Sequence, residues 1–345
     1  MSRSRSRIER HIEQLWYGGS LLTVLLVPFS WIYRMVIAIR RSGYRLGWLR
    51  SVFCSAPVIV VGNVTVGGSG KTPIVAWLAQ TLSDTGMRPG IVSRGYGGSA
   101  GPDPVLVGVD GRVEEVGDEP LLLARRTGVP VCVCADRVAA VEYLLRETDV
   151  NVIIADDGLQ HYRLRRDLEF VVVDGSRGLG NGWMLPAGPL REPAARLSQA
   201  DLIFCNGRAG EIAGHIFELI PGKARALIGA REKELSEFRG ETVWAVAGIG
   251  NPDRFYALLT QYGINFVPVA VVDHGSVDLD RLIAAHNRPI LMTEKDSVKY
   301  PQTTVDVAWY VPVDVRMSDE SKSVVSQKIM NMKSAVSSRI NAESV

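Results

Sequence analysis

The sequence predicts an α/β protein. A parallel sheet is covered by helices on both faces, followed by a smaller α/β domain and preceded by an apolar helical segment. Three observations predict it. Short apolar runs ending in glycine or a carboxylate alternate with stretches of helical periodicity, the pattern of a buried parallel sheet. One of these runs closes on a glycine-rich loop that opens a helix. Apolar residues make up 46% of the 345 and charged residues 22%, enough for a sizeable core and for two domains.

The first 50 residues stand apart. Arg3, Arg5, Arg7, Arg10, Arg34, Arg40, Arg41, Arg45 and Arg50 face only Glu9 and Glu13, a net of +7 in a chain of +2. The chain as a whole therefore does not read as a nucleic-acid binder. A basic terminus on a mildly acidic body points to an anionic surface. Leu15 to Tyr33 is a stretch of 19 residues without a charge, with Trp16 and Tyr17 at one end and Trp31 and Tyr33 at the other. Gly18, Gly19, Ser20 and Pro28 dilute it, and both flanks are basic. Apolar residues resume at Met35, Val36, Ile37 and Ile39 before Arg40 and Arg41. The expectation is one or two helices lying in the headgroup plane with arginines toward acidic lipid. A true span and a buried core helix are the alternatives. A cleaved signal peptide does not fit, because a nucleotide site follows at once.

The body then reads as strand and helix in turn. "APVIVVGN" is a buried strand and "KTPIVAWLAQTLSDTG" a helix with Ile74, Val75, Leu78 and Leu82 on one face. "PGIVSRGYGG", "GVPVCVCAD", "DVNVIIADDGL", "LEFVVVDG" and "ADLIFCNG" give further strands, with a helix over "RVAAVEYLLRE". Cys132 and Cys134 alternate to one face, and with Cys54 and Cys205 read as reduced thiols of a cytosolic body. "ETVWAVAGIGNPDRFYALLTQYG" restarts the pattern, and Val325, Ile329, Met332 and Val336 mark a final amphipathic helix. The expected organisation is a membrane-associating segment over 1–50, a nucleotide-binding core over 51–222, a linker over 223–239 and a second domain over 240–345.

The loop "VGNVTVGGSGKTP" carries the chemistry. A phosphate loop has the form G-x-x-x-x-G-K followed by Ser or Thr; here the first glycine is replaced by Thr65. That position only turns the chain out of the strand. Thr65, Val66, Gly67, Gly68, Ser69 and Gly70 can still aim backbone N–H groups and a helix N-terminus at an anion. Lys71 adds charge for the β- and γ-phosphates, and Thr72 a hydroxyl for Mg²⁺. Strand before and helix after make the core P-loop NTPase-like. Asp156 and Asp157 end an apolar strand downstream, where a carboxylate should hold Mg²⁺ directly or through water. "GDEP" places Asp118 and Glu119 at the start of a helix, where capping alone would also account for them.

Longer strings carry a resemblance. "VGNVTVGGSGKTP", "VSRGYGG", "GDEP", "ADDGLQHYRLRRDLEFVVVD", "RGLGNGWMLPAGPLREP", "AVAGIGNPDRF", "VVDHG" and "MTEKDSVK" resemble the tetraacyldisaccharide 4′-kinase family nearly end to end. The resemblance includes the Thr at position 65. It implies transfer of the γ-phosphoryl of ATP to the 4′-hydroxyl of a tetraacylated glucosamine disaccharide 1-phosphate, giving lipid IVA in lipid A biosynthesis. It implies a peripheral enzyme on the cytoplasmic face of the bacterial inner membrane, with ATP and Mg²⁺ as cofactors and the acylated disaccharide phospholipid as partner. No nucleic acid or obligate protein partner is implied. It pairs an Asp of the "GDEP" motif with a His of the "DH" motif as acid–base unit, here Asp118 and His274. The family's second His or aromatic after "DH" is replaced here by Gly275 and Ser276. Arg94 and Arg191 are candidates for nucleotide or substrate phosphate, Glu192 for organising Arg191, and Lys295 for reaching the nucleotide from the second domain.

Three rivals share the loop. A membrane-associated switch ATPase would carry a leading Lys where Val66 stands. A kinase of another small molecule would leave the amphipathic N-terminus idle. A nucleotide-binding scaffold without catalysis leaves Asp118, Asp156 and Asp157 unexplained.

Overall fold

The computed structural model describes residues 12, 14–18, 22–99, 101–207, 210, 212–271 and 275–343. The long helix α1 (Leu22–Arg45) runs on through Pro28, although proline removes a backbone donor there. Only Ser30, Ile37 and Gly43 are buried in it, a narrow seam against the body. Phe29, Trp31, Ile32, Met35, Val36 and Ile39 are exposed. Residues 14–17 are helical as well and end in a turn at Gly18, within the one or two helices the sequence allowed.

The first layer follows the expected alternation. It runs β1 (Val58–Gly62), α2 (Lys71–Asp84), β2 (Pro89–Ser93), β3 (Val105–Leu106), α3 (Val113–Val116), α4 (Asp118–Thr127) and β4 (Val131–Val133). It continues through α5 (Arg137–Glu147), β5 (Val152–Asp156), β6 (Leu168–Asp174), β7 (Leu202–Asn206) and β8 (His215–Pro221). β1 and β5 are buried at every position, which is why they read as unbroken apolar runs. Cys132 and Cys134 lie in one core cluster, as their spacing predicts, and all four cysteines are free thiols.

The second layer comprises β9 (Ala224–Ala226), β10 (Glu232–Lys233), β11 (Thr242–Val246), α6 (Pro252–Gln261), β12 (Asn265–Val269), α7 (Leu279–Ala285), β13 (Ile290–Thr293), α8 (Glu294–Ser297) and β14 (Ala308–Val311). β15 (Val313–Met317) and α9 (Asp319–Glu343) close the chain.

Among the described residues two sheets form. The larger has the order β15-β8-β7-β6-β1-β5-β2-β4-β3, parallel from β8 to β4 and antiparallel at both edges. The smaller has the order β10-β9-β14-β13-β11-β12. Two boundaries therefore differ from the sequence reading. The 223–239 stretch is not a free connector, because β9 pairs with β14 and β10. Its strands are two and three residues long, too short to show a period. Residues 313–343 do not belong to the second sheet. β15 pairs with β8, and Val325, Ile329, Met332 and Val336 of α9 pack into the core of the first. At about 1.5–3 kcal/mol for each fully buried aliphatic side chain, that return adds several kcal/mol of gross apolar burial to the first domain.

The chain leaves β1 toward β5 and β2 on one side and toward β6 and β7 on the other. The crevice at the carboxyl ends of β1, β5 and β6 is the switch point where ligands of such sheets gather.

Candidate active site

The loop after β1 is held from outside. The Val66 N–H donates to Pro189 O at 2.8 Å, and Thr65 bridges to Leu190. Gly70 caps α2 with φ 94°, a left-handed conformation that suits glycine. A Cβ there would also come within 2.6 Å of Asn206 Nδ2, which donates to Ser69 O at 3.2 Å. The N-terminus of α2 therefore opens into the crevice with its first N–H groups facing it. Lys71 Nζ lies 3.2 Å from Asn63 Oδ1 and 3.6 Å from Asp157 Oδ1.

The two carboxylates after β5 have different surroundings. Asp156 is buried and accepts from Ser93 Oγ at 3.1 Å, while its Oδ1 has no hydrogen-bond partner among the described residues. Burial, and then the charge of Glu119, push its carboxyl up to about 7. Asp157 stands at φ 51°. Arg191 donates to both its oxygens, at 2.9 and 2.7 Å. Burial acts to raise the Asp157 carboxyl, but Lys71 and Arg191 outweigh it and hold it well below the usual carboxylate range. Two neighbouring aspartates are thus set apart, one kept charged by cations and one discouraged from ionising.

Asp118 and Glu119 open α4 after Gly117, whose φ is 86°. Asp118 is 2% exposed, and its Oδ1 accepts from the Glu119 N–H at 2.9 Å. Two lysines of the second domain face it: Lys295 Nζ at 3.8 Å and Lys299 Nζ at 4.0 Å from Oδ2. Lys295 also donates to Glu119 Oε1 at 2.9 Å. Burial opposes ionisation of Glu119, yet Lys295 and Lys71 lower its carboxyl below the usual value.

These groups surround one cleft of about 1170 Å³ between the two sheets. Val66 to Thr72, Arg94, Glu119, Asp156, Asp157, Arg191 and Lys295 line it. Thr65 is buried behind the loop, and Asp118 lies one residue behind Glu119. The cleft can hold a polyphosphate along α2 and a second, bulkier molecule on its other side.

Residues 22–330 match the family model described as tetraacyldisaccharide-1-P 4′-kinase. The chain belongs to this family. Its relatives include the tetraacyldisaccharide 4′-kinase of Alkalilimnicola ehrlichii, 51% identical over 84% of this chain and 88% of that one. That of Actinobacillus succinogenes is 45% identical over 92% of this chain and 98% of the other. The crystal structure of the Aquifex aeolicus family member LpxK in complex with ATP superposes with a TM-score of 0.73 at 28% identity, covering 90% of this chain and 99% of that one.

The remaining expected residues of this 4′-kinase family member fall as follows. Glu192 is fully buried beside the cleft and does not line it; it accepts from Gln160 Nε2 at 3.0 Å and Tyr162 Oη at 2.7 Å. The Arg191 carbonyl, meanwhile, accepts from Gln160 and from Tyr33 of α1. Arg94 is an exposed residue of the cleft wall. His274 lies outside the described residues, between the described Val271 and Gly275.

Several site residues escaped sequence reasoning. Asn63 and Asn206 support the loop from the ends of β1 and β7. Asp174, at the end of β6, accepts from Arg254 at 2.5 Å and Asn251 at 3.2 Å, joining the two domains. Arg137 is 2% exposed, lines the cleft, and donates to Cys134 O and Asp156 O. Position alone could have found Asn63, Asp174 and Asn206, since each ends a parallel strand.

Proposed function

We propose that this chain transfers the γ-phosphoryl group of ATP to the 4′-hydroxyl of a tetraacylated glucosamine disaccharide 1-phosphate, the step that gives lipid IVA in lipid A biosynthesis. The observation that carries the reading is a juxtaposition. A phosphate loop at one helix N-terminus and the Asp118–Glu119 pair at another meet across one cleft, in a member of the 4′-kinase family.

In this reading Gly67 to Thr72 bind the β- and γ-phosphates through backbone N–H groups, and Lys71 turns from Asn63 to the γ-phosphate. Arg191 keeps Asp157 ionised beside it. Asp118 accepts the proton of the sugar hydroxyl as its oxygen attacks phosphorus, the P–O bond to ADP breaks, and His274 carries the proton onward or orients the carboxylate. Arg94 and Lys295 supply positive charge for the nucleotide or the substrate 1-phosphate.

Mg²⁺ fits the residues present. The unpartnered Oδ1 of Asp156, the Asp157 carboxylate and the Thr72 hydroxyl offer the hard oxygen donors it takes together with phosphate oxygens. Bound there, it supplies neutralisation of the phosphate charge.

The acyl chains require a surface nearby. α1 presents Phe29, Trp31, Ile32 and Met35 outward, while Ser30 donates to Met184 O at 2.6 Å and Tyr33 to Arg191 O at 3.2 Å. A helix tied to the body along one seam lies on a bilayer more readily than it spans one. The reading therefore puts the enzyme on the cytoplasmic face of the inner membrane, with Arg40 at the cleft mouth.

The test is incubation with γ-labelled ATP, Mg²⁺ and the disaccharide lipid in mixed micelles. Label should move to the lipid as a 4′-phosphomonoester. Hydrolysis at the same rate without the lipid would instead identify a switch ATPase.

A further inference from the structure

Lys299 lies two residues beyond α8 and is only 4% exposed, outside the cleft lining. Burying an ammonium costs several kcal/mol unless its donors find acceptors and a counter-charge. Two acceptors come from its own domain. Nζ donates to Asp296 Oδ1 at 2.8 Å and to the Gly275 carbonyl at 2.8 Å. Asp296 is itself fixed, because its Oδ2 accepts from the Gly248 N–H at 2.9 Å and from Thr293 Oγ1 at 2.6 Å. Gly248 leaves the space for this. A Cβ there would come within 2.7 Å of Asp296 Oδ1 and 3.2 Å of Lys299 Nζ. Beyond these partners stands Asp118 Oδ2 of the first domain, 4.0 Å away. An ammonium locked by the second domain therefore points at a buried carboxylate of the first, while also holding the backbone at Gly275. Lys295 lies 3.8 Å from the same Asp118 oxygen, but it also donates to Glu119 and lines the cleft, whereas Lys299 does not line it.

We propose that Lys299 is a positioning residue for phosphoryl transfer, setting the Asp118 carboxylate against the Gly275 segment of the opposite domain without touching nucleotide or lipid. This rests on Asp118 as the base. At 4.0 Å Lys299 and Asp118 act on each other as charges rather than through a hydrogen bond, and losing that attraction corresponds to a drop of about tenfold to a hundredfold in kcat.

The experiment is a double-mutant cycle with the full-length protein, measuring kcat, the KM for ATP and the ATP affinity by calorimetry. Lys299→Met should lower kcat by that factor, leave the ATP affinity and KM within about twofold, and be partly rescued by Lys299→Arg. In the Asp118→Asn background the same substitution should cost less than about twofold, because the two act as a unit. Equal losses in both backgrounds, or a rise in KM alone, would overturn the proposal. Lys299→Gln, which keeps a donor for Gly275, carries the same test if the methionine variant does not bind ATP. An Asp118→Asn enzyme of near wild-type rate would remove the base assignment. A wild-type rate for Lys299→Met beside an inactive Asp118→Asn would remove only the role given to Lys299.

Discussion

Lys71 rests between Asn63 and Asp157 with a side chain 14% exposed, so its ammonium is held at the cleft wall and not in the core. Lys71→Ala should therefore lower turnover by orders of magnitude, while the melting temperature moves little. The Lys71–Asp157 pair is partly solvated, and such pairs contribute about 0–1 kcal/mol to stability. Steady-state kinetics beside a thermal melt check both halves. His161 gives a pH prediction. Burial first, then Arg137, Arg94 and Arg40, lower its imidazole to about 4 from an ordinary value near 6.5. Between those values the unfolded chain binds a proton that the folded chain does not, so this contribution to stability falls as pH drops from about 6.5 to about 4. His161→Gln should flatten the denaturant midpoint across that window. An unchanged slope would show that His161 is not held neutral. At this scale the loop from Val66 to Thr72 was legible because each residue type has a stated task toward phosphate. Asn63, Asn206 and Asp174 were marked only by their place at the ends of parallel strands, and what each faces became plain only in the fold. Lys299 sat in view in "MTEKDSVK" three residues after its partner Asp296, but its other partners lie at 118 and 275, and no spacing could foretell those.

α1 shows how an element can be read correctly in composition and less well in extent. Its apolar content was plain, and Pro28 was read as diluting it, yet the helix is unbroken there. The helix passes Pro28 because the body grips it just beyond, at Ser30. Deleting residues 1–40 should release the protein from anionic vesicles in a flotation assay while ATP still binds. Sedimentation of the truncated protein with vesicles would put the anchor elsewhere. The loop 248–251 offers a second prediction. A Cβ on Gly250 would come within 2.4 Å of Gly68 N, so the two glycine loops touch backbone to backbone. Gly250→Ala should wedge them apart and raise the KM for ATP several-fold. A wild-type KM would mean the contact is not kept when nucleotide binds. The linker reading failed at β9 and β10 because strands of two and three residues are defined by their partners alone.

Across the whole molecule, the chain passes between the sheets twice, once at 221–224 and once at 311–313. The Gly222 N–H donates to Pro312 O at 2.9 Å where the crossings meet. The cleft lies between the sheets, joined on one wall by Asp174 with Arg254 and Asn251. The other wall joins through Lys295 with Glu119 and Arg126 with Glu294. Sequence periodicity revealed both α/β units. It could not reveal that 313–343 return to the first, because an amphipathic helix does not say which core it covers. The proposed division of labour rests on this architecture: one domain would grip phosphate, while the other brings Lys295 and Lys299 to Asp118. A single-turnover comparison of wild type with Asp118→Asn, at saturating Mg-ATP and lipid, tests that most directly. The account predicts that the variant binds ATP as tightly as wild type while transferring phosphate to lipid slower by about two to four orders of magnitude. Transfer by Asp118→Asn within a few-fold of wild type would contradict it.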